Sequence, residues 1–430
     1  MLELFGAGVV SLWLEMAGID PATLQPTGSS DKVLLLRQDP VAATTVQQYL
    51  KQLAEKGFTQ AEQGVWIQSQ EQLLANQQGS TPLPAASLTK IATSLVALQT
   101  WGPQYQFITQ VSATGPIQQG VLQGDLVIQG VGDPLFVWEE AINLGNTLNE
   151  IGIRQITGDL VIVGGFTMNY ESDPGVAGTL LREGLNAKTW SEEAQTQYST
   201  LPPGTPRPQV VIEGTVKLTA TPPLPATPLV RHRSLPLAQL LKQMNIYSNN
   251  AMAETLAASL GGAAVVAQRA AIAAAVPQQE IQLSNGSGLG VENRISPRAA
   301  CGMFQAIEAQ LQPRQLSVAD LFPVAGRDGG TLEARKIPPT TVAKTGTLWD
   351  VSALAGIMPT RDRGSICFSI INRGNGVVDF RAQQDVLLQK LLSHWGAVQL
   401  PLATFQPPSS MDNPAGAASR NEILVNRVTP

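Results

Sequence analysis

The sequence predicts an α/β chain of the multidomain α+β kind, an antiparallel sheet with a helical cluster, interrupted by an inserted β-rich domain. Three observations lead there. Pro84-Ala85-Ala86-Ser87-Leu88-Thr89-Lys90 opens an apolar helix in the first quarter of the chain. After residue 105, strand-like runs separated by Gly and Asp take over. Helical patterning then returns at Pro236, and strands close the fold over 341–345, 353–358 and 366–372.

At 430 residues the chain can bury a large core and divide into more than one domain. A hydrophobic fraction of 43% against 14% charged residues marks it as globular. The net charge of −5 leaves no basic footprint for nucleic acid. The one compact basic cluster, Arg231-His232-Arg233, reads as a solvated loop. Cys301 falls in an apolar predicted helix and Cys367 in an apolar predicted strand, so both read as inert buried thiols ahead of a disulfide or a functional thiol. His232 and His394 are too few for a His-rich metal site, and no pattern calls for a metal or a cofactor.

Taken in order, residues 1–30 form an N-terminal apolar segment. Its run from Leu4 to Leu14 lacks a preceding Lys or Arg and meets Glu15, which fits a short docking helix better than a secretory signal. This leaves membrane association uncertain. Val33-Leu34-Leu35-Leu36 reads as a short strand. Residues 41–56 carry Val46, Leu50, Leu53 and Ala54 on one face and end at Gly57, the pattern of an amphipathic helix. Residues 65–69 and 72–75 read as a hairpin about Gln70-Glu71. The apolar helix of Ser87 then runs over 88–98. Strands follow at 107–111, 121–129 and 160–163 with a helix over 138–151 among them. Gly124-Asp125-Leu126-Val127-Ile128 and Gly158-Asp159-Leu160-Val161-Ile162 are near-copies. Residues 166–209 read as polar loop, and 210–218 as a strand. Helices are expected over 237–244, 250–260, 263–275, 297–309 and 380–395. The Pro, Ser, Asn, Ala and Gly content from about Phe405 predicts a disordered tail over 405–430. The resulting division is 31–106 with 234–400 as the main domain and 107–233 as the insertion.

Ser87 and Lys90 stand three apart, so a helix beginning near Ser87 puts both side chains on one face. A hydroxyl beside an amine is a nucleophile with its base. Ser29-Ser30-Asp31-Lys32 repeats the pattern, but in a loop that opens no helix. Tyr247-Ser248-Asn249-Asn250 supplies a hydroxyl able to relay a proton and an amide able to donate and accept. Taken alone it is an ordinary helix cap. Lys344-Thr345-Gly346-Thr347 occurs once, at the end of the strand 341–345. It offers a fixed cation, a hydroxyl, a glycine that lets a substrate backbone lie close, and a backbone N–H for an oxyanion.

These three motifs, in this order, make up the set of the active-serine penicillin-recognising enzymes. The sequence resembles that superfamily, and within it the D-alanyl-D-alanine carboxypeptidase/endopeptidase family, the low-molecular-mass class C penicillin-binding proteins. The long interval between Ser87 and Ser248 points to that family. So do Leu122 to Leu126, Gly130-Val131-Gly132-Asp133-Pro134, Asn285-Gly286-Ser287-Gly288-Leu289 and Asp328-Gly329-Gly330-Thr331-Leu332. Asn285 stands where the family usually has Asp, and the segment 166–209 is short for it.

The resemblance implies the penicillin-binding-protein/β-lactamase-like transpeptidase fold. It implies a serine-type D-Ala-D-Ala carboxypeptidase/endopeptidase acting on peptidoglycan stem peptides, acylated by β-lactams. Ser87, Lys90, Ser248, Asn250 and Lys344 are then the catalytic residues, and Thr345, Gly346 and Thr347 bind substrate, with Lys344 and Thr345 on its terminal carboxylate. No metal or organic cofactor is implied, and no nucleic acid. The expected compartment is the periplasm or cell envelope of a bacterium. A β-lactamase or esterase on the same fold, or a non-catalytic peptidoglycan-binding protein, are the alternatives.

Overall fold

The computed structural model describes residues 39–69, 72–398 and 420–425. The N-terminal segment, the strand expected at 33–36 and most of the tail lie outside the described residues.

The chain begins with helix α1 (Pro40–Glu55), whose N-cap Asp39 accepts the backbone N–H groups of Val41 and Ala42. A hairpin of β1 (Gln63–Gln68) and β2 (Leu73–Gln77) follows, and then helix α2 (Thr89–Trp101). Every residue of α2 from Thr89 to Leu98 is buried. A helix apolar on all sides must be surrounded, and α2 packs against four later helices. These are α6 (Leu237–Tyr247), α7 (Asn250–Ser259), α8 (Ala263–Ala273) and α9 (Pro297–Leu311), which come after the insertion and its own three helices.

Within the insertion, β3 (Ile108–Ala113), β4 (Leu126–Val131), β5 (Leu160–Gly165), β6 (Val216–Thr219) and β7 (Thr227–Arg233) make one sheet. Helix α3 (Trp138–Glu150) joins β4 to β5. The near-copies become clear here. Leu126, Val127 and Ile128 pair in parallel register with Leu160, Val161 and Ile162, so the two sequences are the two strands of one βαβ unit. Each copy's aspartate stitches to the next strand. Asp125 accepts the Asp159 N–H at 2.8 Å, and Asp159 accepts the Thr215 N–H at 2.7 Å.

The expectation of a polar loop over 166–209 does not hold. Helix α4 (Pro174–Gly184) starts at an Asp173 cap with Pro174 as its first residue, and α5 (Glu192–Thr200) starts at a Ser191 cap with two glutamates behind it. Both are good starts for short helices that bury only one narrow stripe. The insertion is therefore a mixed α/β unit rather than a purely β-rich one, with its own apolar core.

The last third supplies β8 (Val342–Leu348), β9 (Val351–Thr360), β10 (Gly364–Arg373) and helix α10 (Val377–Trp395). The main sheet is antiparallel throughout, in the order β8-β9-β10-β1-β2. Helices α1 and α10 cover one face, and α2 with its neighbours covers the other. Strand β8 runs past its expected end at Thr345 because Gly346, Thr347 and Leu348 continue to pair with Ala353, Ser352 and Val351.

Two further expectations are corrected. Cys301 on α9 and Cys367 on β10 are not free thiols but a disulfide, with Cα atoms 5.8 Å apart. Arg231-His232-Arg233 is not a solvated loop but part of β7, whose alternation turns His232 into the core while both arginines stay partly exposed. His232 is fully enclosed, and burial pushes its imidazole down to about 4.

Residues expected in a disordered tail return to the insertion as β11 (Asn421–Ile423), antiparallel to β7. Just before it, Arg420 is 4% exposed and ion-paired with the buried Glu140 of α3. Removing one member of a buried pair leaves the other charge without compensation. Arg420→Ala is expected to destabilise the protein by about 3–5 kcal/mol. Equilibrium urea unfolding reads this as a lower midpoint for the variant.

Candidate active site

The nucleophile stands at a strained point. Ala86 has φ +47°, a left-handed conformation costly for a residue with a Cβ, and Ala86–Leu88 form one turn of 3-10 helix leading into α2. Two glycines make this turn possible. A Cβ on Gly288 would overlap the Ala86 carbonyl, and one on Gly346 would sit 2.6 Å from the Ala85 carbonyl. The sequence suggested that Gly346 makes room for substrate; the structure shows it making room for the nucleophile's own loop.

Lys90 lies one turn further on and is completely buried. Its Nζ has three partners: Ser87 Oγ at 3.0 Å, Asn250 Oδ1 at 2.7 Å and the Ser287 carbonyl at 2.8 Å. An ammonium can donate to all three. A neutral amine has only two N–H groups and one lone pair. The carbonyl and the amide oxygen can only accept, so the lone pair must face the Ser87 hydroxyl. Losing a proton therefore converts Lys90 into a base aimed at its nucleophile without any side chain moving. Burial pushes the Lys90 ammonium down to about 7, while the Glu254 carboxylate nearby pulls the other way.

Ser248 and Asn250 come from the junction of α6 and α7. Ser248 has φ +55°, which turns the chain sharply between the two helices. The helix cap that the sequence pattern suggested is carried by Asn249, whose side chain accepts the Met252 N–H at 3.0 Å. That leaves Ser248 and Asn250 for the site. Lys344 is fully buried on β8 and donates to Ser248 Oγ and to the Thr345 carbonyl, both at 2.9 Å. Burial first, and then the Lys90 charge, hold Lys344 well below the ordinary lysine value. Strand β8 is the sheet's edge. The Ala343 N–H points off that edge to the Pro323 carbonyl, so by strand alternation the N–H groups of Thr345 and Thr347 point the same way. All eight residues singled out in the sequence belong to these three adjoining segments.

A cavity of about 680 Å³ opens beside Ser87, Ser248, Thr345 and Thr347. Its far wall comes from the 330–336 segment and the first turns of α10, including Arg381.

Sequence reasoning missed four contributors. Glu254 accepts the N–H groups of Gly286 and Ser287 at 3.0 and 2.9 Å, which fixes the carbonyl that binds Lys90. It lies four residues after Asn250 on the same helix face, a spacing that could have flagged it. Ser287 acts through its backbone, which no side-chain pattern reveals. Thr331 accepts from Thr345 Oγ1 at 2.8 Å. Arg381 donates to Thr347 Oγ1 at 2.7 Å from an otherwise ordinary amphipathic helix. Asn285, the departure from the family pattern, shapes the turn. Its oxygen accepts the Gly288 N–H and its nitrogen donates to the Leu289 carbonyl, a bond an aspartate could not make.

A helix-borne serine and lysine, a serine between two helices, and a lysine on the edge of an antiparallel sheet define a serine acyl-transfer enzyme of the penicillin-recognising class. More narrowly, the chain belongs to the D-Ala-D-Ala carboxypeptidase 3 (S13) family, whose profile matches residues 44–177 and 207–392. The D-alanyl-D-alanine carboxypeptidase DacB of Haemophilus influenzae is 25% identical over 392 residues, spanning 69% of this chain and 81% of its own length. A carboxypeptidase of Mycobacterium tuberculosis is 27% identical over 352 residues, 72% of this chain and 75% of that one. Among solved structures, a predatory peptidoglycan endopeptidase of Bdellovibrio bacteriovorus shares the fold with a TM-score of 0.65 at 22% identity, covering 78% of this chain and 94% of its own.

The lysine geometry sets a pH dependence. Below about 7 Lys90 carries its third proton and has no lone pair for Ser87. The acylation rate of Ser87 by a fluorescent β-lactam is therefore expected to fall roughly tenfold per pH unit below that point and to level off above it. Rapid-mixing rates between pH 5 and 9 measure this, and Lys90→Arg, which stays charged throughout, is expected to abolish the reaction.

Proposed function

We infer that the protein is a serine-type D-Ala-D-Ala carboxypeptidase/endopeptidase of peptidoglycan stem peptides, acting through an acyl-enzyme on Ser87. The observation that carries this is the Lys90 cage, which leaves a neutral lysine one available partner, the Ser87 hydroxyl. Membership of the S13 family and the named carboxypeptidase relatives support the substrate class.

Lys90 takes the Ser87 proton as Ser87 attacks the carbonyl between two D-alanines. The N–H groups of Ser87 and Thr347 hold the oxyanion, the first at the opening of a helix and the second off the free edge of β8. Ser248, bonded to Lys344, passes a proton to the leaving amine. Asn250 uses its oxygen on Lys90, so its amide N–H groups are the ones available to the carbonyl of the acyl chain. Water then releases the product. A β-lactam, whose strained amide mimics the scissile bond, acylates the same serine.

The same reading puts the protein in the bacterial periplasm or cell envelope, where its substrate is found. The Cys301–Cys367 disulfide supports an oxidising compartment. Among the described residues no single helix is long and apolar enough to cross a membrane.

Fluorescent penicillin is expected to label the protein, and Ser87→Ala to abolish labelling. Equal labelling of the variant would sink the assignment. Release of D-alanine from a diacyl-Lys-D-Ala-D-Ala peptide, set against penicillin turnover, separates a peptidase from a β-lactamase.

A further inference from the structure

Two of the three catalytic segments are joined by a residue that belongs to neither. Thr331 lies in a single turn of 3-10 helix (Gly330–Leu332) that packs between the end of α6 and strand β8. Thr345 Oγ1 donates to Thr331 Oγ1 at 2.8 Å, and Thr331 Oγ1 donates to the Ile246 carbonyl at 3.3 Å. The direction is forced. A carbonyl can only accept, so the Thr331 proton goes to Ile246 and its oxygen is left to accept from Thr345. On one side this bridge ends at the residue after Lys344, and on the other at the residue before Tyr247-Ser248.

The Ile246 carbonyl is one of those that a helix leaves without a partner in its last turn. In the same turn the Met244 carbonyl takes the N–H groups of Ser248 and Asn249. Ile246 is reached from outside the helix, and closely. Gly330, at φ +69°, allows the approach, since a Cβ there would stand 2.4 Å from that carbonyl. Just beyond, the chain bends at Ser248, whose Oγ accepts from Lys344 Nζ at 2.9 Å. That bond joins a helix of the apolar cluster to the edge of the main sheet. It keeps its length and angle only while the two elements hold their separation, and a hydrogen bond weakens steeply once misaligned.

We propose that Thr331 is a positioning residue for the leaving-group step, a strut that sets Ser248 against Lys344 by tying the end of α6 to β8. This rests on the acyl-transfer reading of Ser87 and deepens it. As the bond from Ser87 Oγ to the acyl carbon forms and the C–N bond breaks, the electron pair goes to nitrogen, which must take a proton. Ser87 gives one proton to Lys90 and the leaving nitrogen takes one from Ser248, so the site as a whole neither gains nor loses one. Thr331 acts through Ser248 and exchanges no proton with the substrate.

A strut serving this step has a signature in the leaving group. An amine needs the Ser248 proton to depart, and a thiolate does not. The test uses the full chain and two substrates, a diacyl-Lys-D-Ala-D-Ala peptide and the thioester in which D-thiolactate replaces the last D-alanine. The acyl group and the terminal carboxylate are the same in both, and only the leaving atom differs. Values of kcat/KM are read from released D-alanine and released thiol. Thr331→Val keeps the shape and removes both hydrogen bonds. It is expected to lower the peptide value roughly 10- to 100-fold, part of what a positioned general acid contributes, and the thioester value by less than about threefold. Thr331→Ser keeps the hydroxyl and is expected to hold the peptide value within about threefold of wild type. A fall as large with the thioester means that Thr331 only supports the fold of the site, and unchanged values for both mean that the strut does not reach Ser248; either overturns the proposal. A serine variant as slow as the valine one overturns it too, as does a wild-type protein that cleaves only the thioester and so has no leaving amine to serve. A wild-type protein that cleaves neither substrate overturns the reading of Ser87 as well, and so separates the two failures.

Discussion

A lysine with no access to water, surrounded by three oxygen acceptors, is the constraint on which the rest of the structure depends. Burying an ammonium is expensive unless every proton finds a partner. The partners here come from the turn before α2, from the start of α7 and from the turn at Ser287. Each is fixed by something further out. Thr93 holds the Gly286 carbonyl at 2.7 Å, Glu254 holds the Gly286 and Ser287 N–H groups, and Asn249 caps α7 so that the Asn250 side chain is left for Lys90. The cage costs stability and returns chemical readiness, because the same three oxygens satisfy both protonation states of the amine.

The second lysine plays a different part. Lys344 sits behind Ser248 with its ammonium depressed by burial and by the neighbouring Lys90. Two buried cations in one site disfavour each other's charge. Each lysine is bonded to a serine of its own, Lys90 to Ser87 and Lys344 to Ser248.

Much of the site was legible because its chemistry needs short, rigid spacings. Ser87 and Lys90 share a helix face, Ser248 and Asn250 share a helix junction, and Lys344 to Thr347 share a strand. What escaped was built by partners with no local signature. Arg381 looks like any exposed arginine on α10, and Ser287 contributes only a carbonyl. The boundary of β8 was misjudged because Thr345-Gly346-Thr347 looks like a turn until Ala353 and Ser352 arrive to pair with it. The helices of 174–200 were missed because the residues they bury, Ala177, Gly178, Leu181 and Gly184 in one and Ala194 in the other, are mostly too small to mark an apolar face in the sequence. The disulfide was missed for the opposite reason: each cysteine sits in a run so apolar that a buried thiol explains it. His232 illustrates the limit of charge-run reading. In Arg231-His232-Arg233 the period of two is the informative feature, and it places the middle residue inside.

The strand β11 has a consequence for how the chain must be made. It covers the outer edge of β7, from which Arg231 meets Glu422 across 191 residues of sequence. Until Asn421–Ile423 are available, the sheet of the insertion has its other strands but leaves this edge of β7 unpaired, the feature through which sheets join to one another. During synthesis a chain that has not yet reached Asn421 therefore carries an open sheet edge on the insertion, which these three residues then close.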